Sequence, residues 1–163
     1  MRTGVRIGVD VGSVRVGVAR SDPQGTLAVP VETLRRGAGD VDALQSLVAE
    51  YEALEVLVGL PVGLSGQEGP AAAAARAYAL TLAGRLDVPV RLVDERLSTV
   101  EATRGLREAG RDSRRGRGVV DQAAAVIIVQ QALDTERATG EPPGTVVDPD
   151  AGPDTDPDPD EET

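Results

Sequence analysis

The hydrophobic period of the chain changes near residue 40, and this change constrains the fold more than any other feature. Before it lie three runs of strand type. Residues 4–11 carry Val5, Ile7, Val9 and Val11. Val14 to Ser21 places Val14, Val16 and Val18 on one face, the two-residue period of a strand. Leu27 to Leu34 makes a third strand after Asp22-Pro23-Gln24-Gly25, a turn in which Pro presets φ and Gly supplies left-handed freedom. The three are expected to form an antiparallel meander.

Beyond residue 40 helical and strand patterns alternate. Asp40 is expected to cap a helix whose Val41, Leu44, Leu47, Val48 and Tyr51 share a face. Val56 to Leu60 is short and almost wholly apolar, as a buried parallel strand should be. A Gly-rich loop over 61–69 leads to an Ala-rich helix from about Pro70 to Arg85, with Pro suited to the first turn. Pro89 to Val93 reads as a fifth strand. Ser98-Thr99-Val100-Glu101 is a capping box, and Gly110 stops the helix it opens. An Arg- and Gly-rich loop is expected over 111–118, and a last helix from about Val119 to Arg137. The order β-β-β-α-β-α-β-α-α predicts an α/β domain. Its five-stranded mixed sheet joins a three-strand antiparallel meander to two parallel strands, flanked by helices on both sides. Sites in open α/β sheets lie at the carboxyl ends of the parallel strands.

Composition narrows the chemistry. The 163 residues suffice for one domain with a real core. There is no Cys and no His, which excludes disulfides, thiolate metal sites, imidazole-bound zinc and Ser-His triads. Hydrolysis would have to rest on carboxylates, metal and Arg. Phe and Trp are absent and Tyr occurs twice, so nucleic-acid bases would find almost no aromatic platform. No apolar run approaches the roughly 18 residues of a membrane helix, and no signal-peptide core is apparent. A cytoplasmic protein without membrane partners is expected.

The net charge of −10 is unevenly placed. Residues 141–163 hold nine acids and no base, whereas residues 1–140 hold eighteen acids and 17 arginines, a net −1. Every basic residue is Arg. The expected organisation is a folded domain over 1–140 and a disordered acidic tail over 141–163, whose Asp-Pro repeat offers little to bury.

Three acidic residues stand at the ends of expected core elements: Asp10 after the first apolar run, Glu95 after the fifth strand, and Asp121 at the start of the last helix. Each has an ordinary alternative, namely a hairpin turn, a solvated loop ion pair and a favourable helix-dipole placement. Brought together, they would repel unless a cation lay between them, and hard cations such as Mg²⁺ take oxygen ligands. The helix neighbours of Asp121, namely Ala124, Ala125 and Ile128, are apolar. A carboxylate on that face is costly unless paired or metal-bound. Gly12 could let a phosphate approach the backbone. Arg96 could contact phosphate or clamp the carboxylates. Arg111, Arg114, Arg115 and Arg117 lead directly into Asp121 and could form a phosphate track or a solvated surface.

Four ordered blocks carry a resemblance. They are Gly8-Val9-Asp10-Val11-Gly12-Ser13-Val14-Arg15-Val16-Gly17-Val18-Ala19; Val58-Gly59-Leu60-Pro61 with Gly66-Gln67-Glu68-Gly69-Pro70; Asp94-Glu95-Arg96-Leu97-Ser98-Thr99 with Glu101-Ala102; and Val119-Val120-Asp121-Gln122-Ala123-Ala124-Ala125. Over about residues 4–137 the chain resembles the YqgF/RuvX family of ribonuclease H-like proteins, relatives of RuvC-type Holliday junction resolvases. The resemblance implies a ribonuclease H-like sheet, with Asp10, Glu95 and Asp121 as catalytic carboxylates holding one or two Mg²⁺ or Mn²⁺ ions. It also implies nucleic-acid contacts at Gly12, Ser13, Arg15 and Arg96 beside the Arg111, Arg114, Arg115 and Arg117 track. Members of the family are described as nucleases for the 5′ end of the 16S ribosomal RNA precursor, and some as junction resolvases. Two departures are visible here. The loop before the last helix carries Arg and two Gly where Lys is usual, and the acidic tail lies outside the family pattern.

The leading expectation is a metal-dependent endonuclease acting on structured RNA such as pre-16S rRNA, as a monomer or homodimer. A four-way DNA junction resolvase is the alternative enzyme, and it would need two active sites. A non-catalytic nucleic-acid-binding assembly factor is the alternative of another class.

Overall fold

The computed structural model describes residues 1–62, 66–95 and 114–150. The expected meander is β1 (Arg6–Val11), β2 (Arg15–Ser21) and β3 (Ala28–Arg35), paired antiparallel in that order. There follow α1 (Asp40–Glu50), β4 (Glu55–Leu60), α2 (Pro70–Arg85), β5 (Val90–Asp94), a long helix α3 (Arg114–Thr139) and β6 (Thr145–Val146). The sheet order is β3-β2-β1-β4-β5-β6, with β1, β4 and β5 parallel.

Four local expectations are corrected. Val14 lies in the β1–β2 turn and is exposed. The Gly12 N–H already donates to the Arg15 carbonyl (2.8 Å) and closes the hairpin around Ser13 and Val14. Asp40 is not the helix cap. Gly39 takes that position in a left-handed conformation, and the Asp40 carboxylate accepts instead from the Gly37 N–H (3.0 Å) and the Tyr78 hydroxyl (2.6 Å).

The third correction concerns the Arg-Gly segment. α3 begins at Arg114, so Gly116 and Gly118 are helical rather than looped. Each Gly costs about 1 kcal/mol against Ala in a helix, but a helix already held by its packed apolar face extends one hydrogen bond per residue. The capping-box helix expected from Ser98, together with Arg96 and Arg111, lies outside the described residues.

The fourth correction is β6, which falls inside the expected tail. Thr145 and Val146 pair antiparallel with Leu92 and Arg91. Val147 donates its N–H to the Val90 carbonyl (2.8 Å) and packs on the core. Gly144 permits the approach: it has φ +71°, and a Cβ there would overlap the Leu92 carbonyl oxygen. Two valines and an open sheet edge suffice to order this stretch, so the folded unit passes residue 140.

Both faces of the sheet are covered, and β1 and β4 are buried along their whole length. On one face Ile7, Val9, Val16, Val18, Val56 and Val58 meet Leu44, Leu47, Ala75, Ala79 and Leu82 of α1 and α2. On the other, α3 lies close. A Cβ on Gly8 would overlap Val129, and Ala19 packs with Ala125, Val129 and Leu133. β3, at the edge, is mostly half-buried or exposed and tolerates Pro30, which has no N–H to give a ladder, beside a register shift at Val18/Ala19.

At the amino ends of the parallel strands the α3 face holds a buried ion network. Arg6 bonds Glu136 of α3 (2.7 Å), and both are almost inaccessible. Arg2 bridges Glu136 (2.5 Å) and Glu55 (2.8 Å), and Arg91 bonds Glu55 (2.6 Å). The network ties the chain start, β1, β4, β5 and α3 together. No helix among the described residues is long and apolar enough to cross a membrane.

Candidate active site

The opposite end of the same face carries the candidate site. Asp10 precedes the last residue of β1 and is fully buried. Its position follows from alternation: Arg6, Gly8 and Asp10 share the α3 face, while Ile7, Val9 and Val11 fill the other core. Its partner on β2 is Gly17. On β4 the parallel register pairs Val9 with Val58, which sets Gly59 beside Asp10. Asp10 therefore stands in a sheet row whose neighbours on both sides have no side chain.

Glu95 follows β5 directly. Its N–H donates to the Leu60 carbonyl (3.1 Å), which carries the parallel ladder one step beyond the strand. Its carboxylate turns back over β4, so that a Cβ on Gly59 would overlap Oε1. Glu95 is 3% exposed and Asp10 0%. Adjacent strands lie about 4.8 Å apart, so the two carboxylates occupy neighbouring columns of the sheet. Asp94, one residue earlier, is exposed.

Asp121 lies about two turns into α3, not in its first turn. The dipole placement that could have explained it without function is confined to the first turn. Asp121 occupies the register position one turn before Ala125, on the stripe continued by the buried Ile128 and Ala132. α3 runs antiparallel to β1, with Glu136 beside Arg6 and Val129 and Ala125 beside Gly8. The next residue, Gln122, donates to the Thr33 hydroxyl (3.1 Å). Thr33 pairs with Gly17, and Gly17 with Asp10. The backbone of Asp121 is thus at the level of the Asp10 row. Asp10, Glu95 and the Asp121 position are brought to one end of one face. Among the described side chains no third acidic group joins Asp10 and Glu95.

The other expected contacts divide. Gly12, Ser13 and Arg15 form the hairpin at this end of β1 and β2. A Cβ at Gly12 would lie 2.7 Å from the Arg15 carbonyl oxygen, so the turn alone accounts for this glycine. Arg114, Arg115 and Arg117 are in the opening turns of α3, which lead to Asp121. Three features escaped the sequence reading. Gly17 and Gly59 flank Asp10, and a lone Gly inside the apolar run Val56–Leu60 was the available signal for a close approach. Arg36 was the third. It donates to the Gly12 carbonyl (3.0 Å) and lies over the Tyr78 ring (5.8 Å), bracing the hairpin from the other face.

The residues fit a hard divalent cation. The donors are carboxylate oxygens, which such ions prefer. The missing side chain at Gly59 is what lets the Glu95 carboxylate lie beside the Asp10 row. Asp10 and Gly59 also flank the place where strand order reverses between β1 and β4, the topological switch point at which open α/β sheets bind ligands.

The architecture is that of the ribonuclease H-like class. RuvC of Thermus thermophilus, solved in complex with a Holliday junction substrate, superposes with a TM-score of 0.56 at 15% identity, covering 88% of this chain and 99% of that one. The model of the family described as "RuvX: Holliday junction resolvase" matches residues 4–135, and the chain belongs to this family. Among its relatives, a Thermobifida fusca protein named "Putative pre-16S rRNA nuclease" is 60% identical over 156 residues, 91% of this chain and 98% of the other. A protein of the same name from Streptomyces coelicolor is 58% identical over 153 residues, covering 91% and 90%. The chain is a nuclease-family protein, a hydrolase of phosphodiester bonds.

Proposed function

We propose that this protein is a divalent-metal-dependent endonuclease that trims the 5′ end of the 16S ribosomal RNA precursor in the cytoplasm. The observation that carries the reading is the pair of buried carboxylates, Asp10 and Glu95, beside a row in which both neighbours of Asp10 are glycine, at the carboxyl end of three parallel strands. Asp10, Glu95 and Asp121 would hold one or two Mg²⁺ or Mn²⁺ ions. Such ions, when bound, supply an activated water and stabilise charge on the attacking and leaving oxygens. The chain's own residues do the rest. Gly59 gives up its side-chain space to the Glu95 carboxylate, which sets that group beside the Asp10 row. The hairpin at Gly12, Ser13 and Arg15 forms one wall. Arg96, with Arg111, Arg114, Arg115 and Arg117, would neutralise the phosphate backbone beside the site, reading charge and not bases.

A DNA junction resolvase is the second reading, favoured by the family description and by the fold shared with RuvC. Resolution needs two sites, so a stable dimer is required of it, while a monomer suffices for RNA trimming. The test is a side-by-side cleavage assay on precursor ribosomal RNA and on a four-way junction, with Mn²⁺ and with chelator, alongside the mass in solution. Metal-dependent cut of the RNA alone supports the proposal. Symmetric junction cleavage by a dimer transfers it to the second reading. Cleavage of neither substrate, at full metal occupancy, overturns both.

A further inference from the structure

One pair of arginines on the sheet makes no ion pair among the described residues. Arg15 on β2 and Arg35 on β3 are direct register partners across antiparallel strands. Side chains so placed are about 5 Å apart at Cβ, and like charges there destabilise a sheet. Neither arginine makes an ion pair or a side-chain hydrogen bond among the described residues. Arg15 is half-buried and Arg35 exposed. A folded chain that keeps such a pair tolerates a repulsion that an anion would remove.

Register fixes where the pair faces. The preceding pair on these strands is Gly17 with Thr33, and Thr33 accepts from Gln122 of α3. By alternation Arg15 and Arg35 lie on the same face as Gly17, which is the face of Asp10. They sit one row outward from the Asp10–Gly17–Thr33 row, two strand residues or roughly 7 Å along. The next residue, Arg36, is turned to the other face. There it donates to the Gly12 carbonyl, while its own N–H donates to the Val14 carbonyl (2.9 Å). Arg36 therefore braces the hairpin from behind, and Arg35 is left on the side of the site.

We propose that Arg15 and Arg35 form a two-pronged clamp for a backbone phosphate of the nucleic-acid strand entering the Asp10 site. The inference rests on the nuclease reading above and extends it by assigning Arg35, at the far edge of the sheet, as a substrate-binding residue. Two forked guanidiniums suit the non-bridging oxygens of a phosphodiester. The clamp carries no sequence preference, because it holds backbone and not bases. It sets the polarity and reach of the strand across the β1–β3 side of the site, while the opening turns of α3 flank the site from above.

The test is binding to a single-stranded RNA and to a duplex across a salt series, for wild type, Arg35→Gln, Arg15→Gln, the double variant, and Arg20→Gln as a charge-matched control. Arg20 lies on the same strand but faces Tyr51 on the other side (4.8 Å to the ring centre). Arg35→Gln is expected to flatten the log–log salt slope by roughly 0.7 on single strands or 0.9 on duplex, and the double variant by about twice that. Arg20→Gln should leave the slope unchanged. Without nucleic acid, Arg35→Gln should melt no lower than wild type, since it removes a repulsion. An unchanged slope in Arg35→Gln, while wild type binds with a steep slope, overturns the clamp and spares the nuclease reading. An equal loss in Arg20→Gln, or a lower melting temperature in Arg35→Gln, assigns the effect to net charge or folding and also overturns it. Wild-type binding with no salt dependence removes the nucleic-acid reading itself, and the clamp with it.

Discussion

Glu95 lays its carboxylate over the backbone of Gly59, in the space where any other residue would carry its Cβ. The contact turns an acidic residue beyond the end of β5 inward across β4, toward Asp10. Ile128 closes the same space from α3, since a Cβ on Gly59 would also lie 2.5 Å from its Cδ1.

Gly59→Ala therefore adds one methyl group and displaces two neighbours. It is expected to cost about 1–3 kcal/mol of stability, the range for overpacking a core. Cleavage should fall further than that loss explains, because the added methyl displaces the Glu95 carboxylate from its place beside the Asp10 row. Denaturant unfolding beside cleavage at saturating Mn²⁺ measures both. Wild-type activity in a folded Gly59→Ala protein would remove Glu95 from the site.

Asp10→Asn, Glu95→Gln and Asp121→Asn should each abolish cleavage while leaving the fold intact, since each removes a charge and little volume. In chelator, Asp121→Asn should melt higher than wild type, because it relieves repulsion among clustered carboxylates. Added Mn²⁺ should stabilise wild type by about 2.7 kcal/mol at a hundred times its Kd, and the variant by less. Thermal melts with and without the ion decide it. A variant that melts lower in chelator would assign Asp121 a structural role.

Glu136 should confer acid lability. Burial alone would raise its carboxyl, but hydrogen bonds from Arg2 and the charges of Arg6 and Arg2 outweigh that and hold it below the ordinary value of 4.5. A depressed carboxyl stabilises the fold fully above its unfolded value and loses that contribution as pH falls through the folded one. Melting temperature should thus drop below about pH 4.5. Glu136→Gln leaves Arg6 buried with a weakened partner and should cost about 3–5 kcal/mol at neutral pH. Its further loss on acidification should be smaller than wild type's. Melts from pH 7 to 3 for both proteins, with equal acid sensitivity as the adverse result, test the assignment.

Two truncations separate the tail from the fold. Ending the chain at Asp150 should leave the melting temperature unchanged and tighten RNA binding at low salt, because acids that compete for the arginines are gone. Ending it at Gly140 also removes β6 and Val147 and should cost roughly 1–3 kcal/mol, the scale of one aliphatic side chain taken from a core. If the two truncations melt alike, β6 contributes nothing in solution.

Five strands, with α1, α2 and the body of α3, were legible because burial on one or two faces writes a period of two, a helical stripe or an apolar run into the chain. Thr145 and Val146 wrote no period, being two residues among Pro, Gly and Asp, and only the open edge of β5 makes them a strand. The start of α3 was hidden by Gly116 and Gly118, whose local cost is met by packing further along the helix. The places of Asp10 and Glu95 at strand ends could be read from the sequence, whereas Asp121 lies about two turns inside α3 and not at its start. The surroundings of these residues could not be read. That Gly17 and Gly59 border Asp10 depends on cross-strand register, which joins residues distant in sequence. The Arg15–Arg35 pair was invisible for the same reason.

The ion network at the amino ends of the strands joins the same elements that carry the candidate site: β1 bears Arg6 and Asp10, β4 Glu55 and Gly59, β5 Arg91 with Glu95 just beyond, and α3 Glu136 and Asp121. A slip of α3 by one residue along β1 would shift the helix by about 1.5 Å and turn it by roughly 100°, and it would pull Glu136 away from Arg6. The network therefore acts as a vernier. It fixes, from the far end of the sheet, the phase and the height of α3 against β1, and with them the level at which the backbone of Asp121 stands beside the Asp10 row.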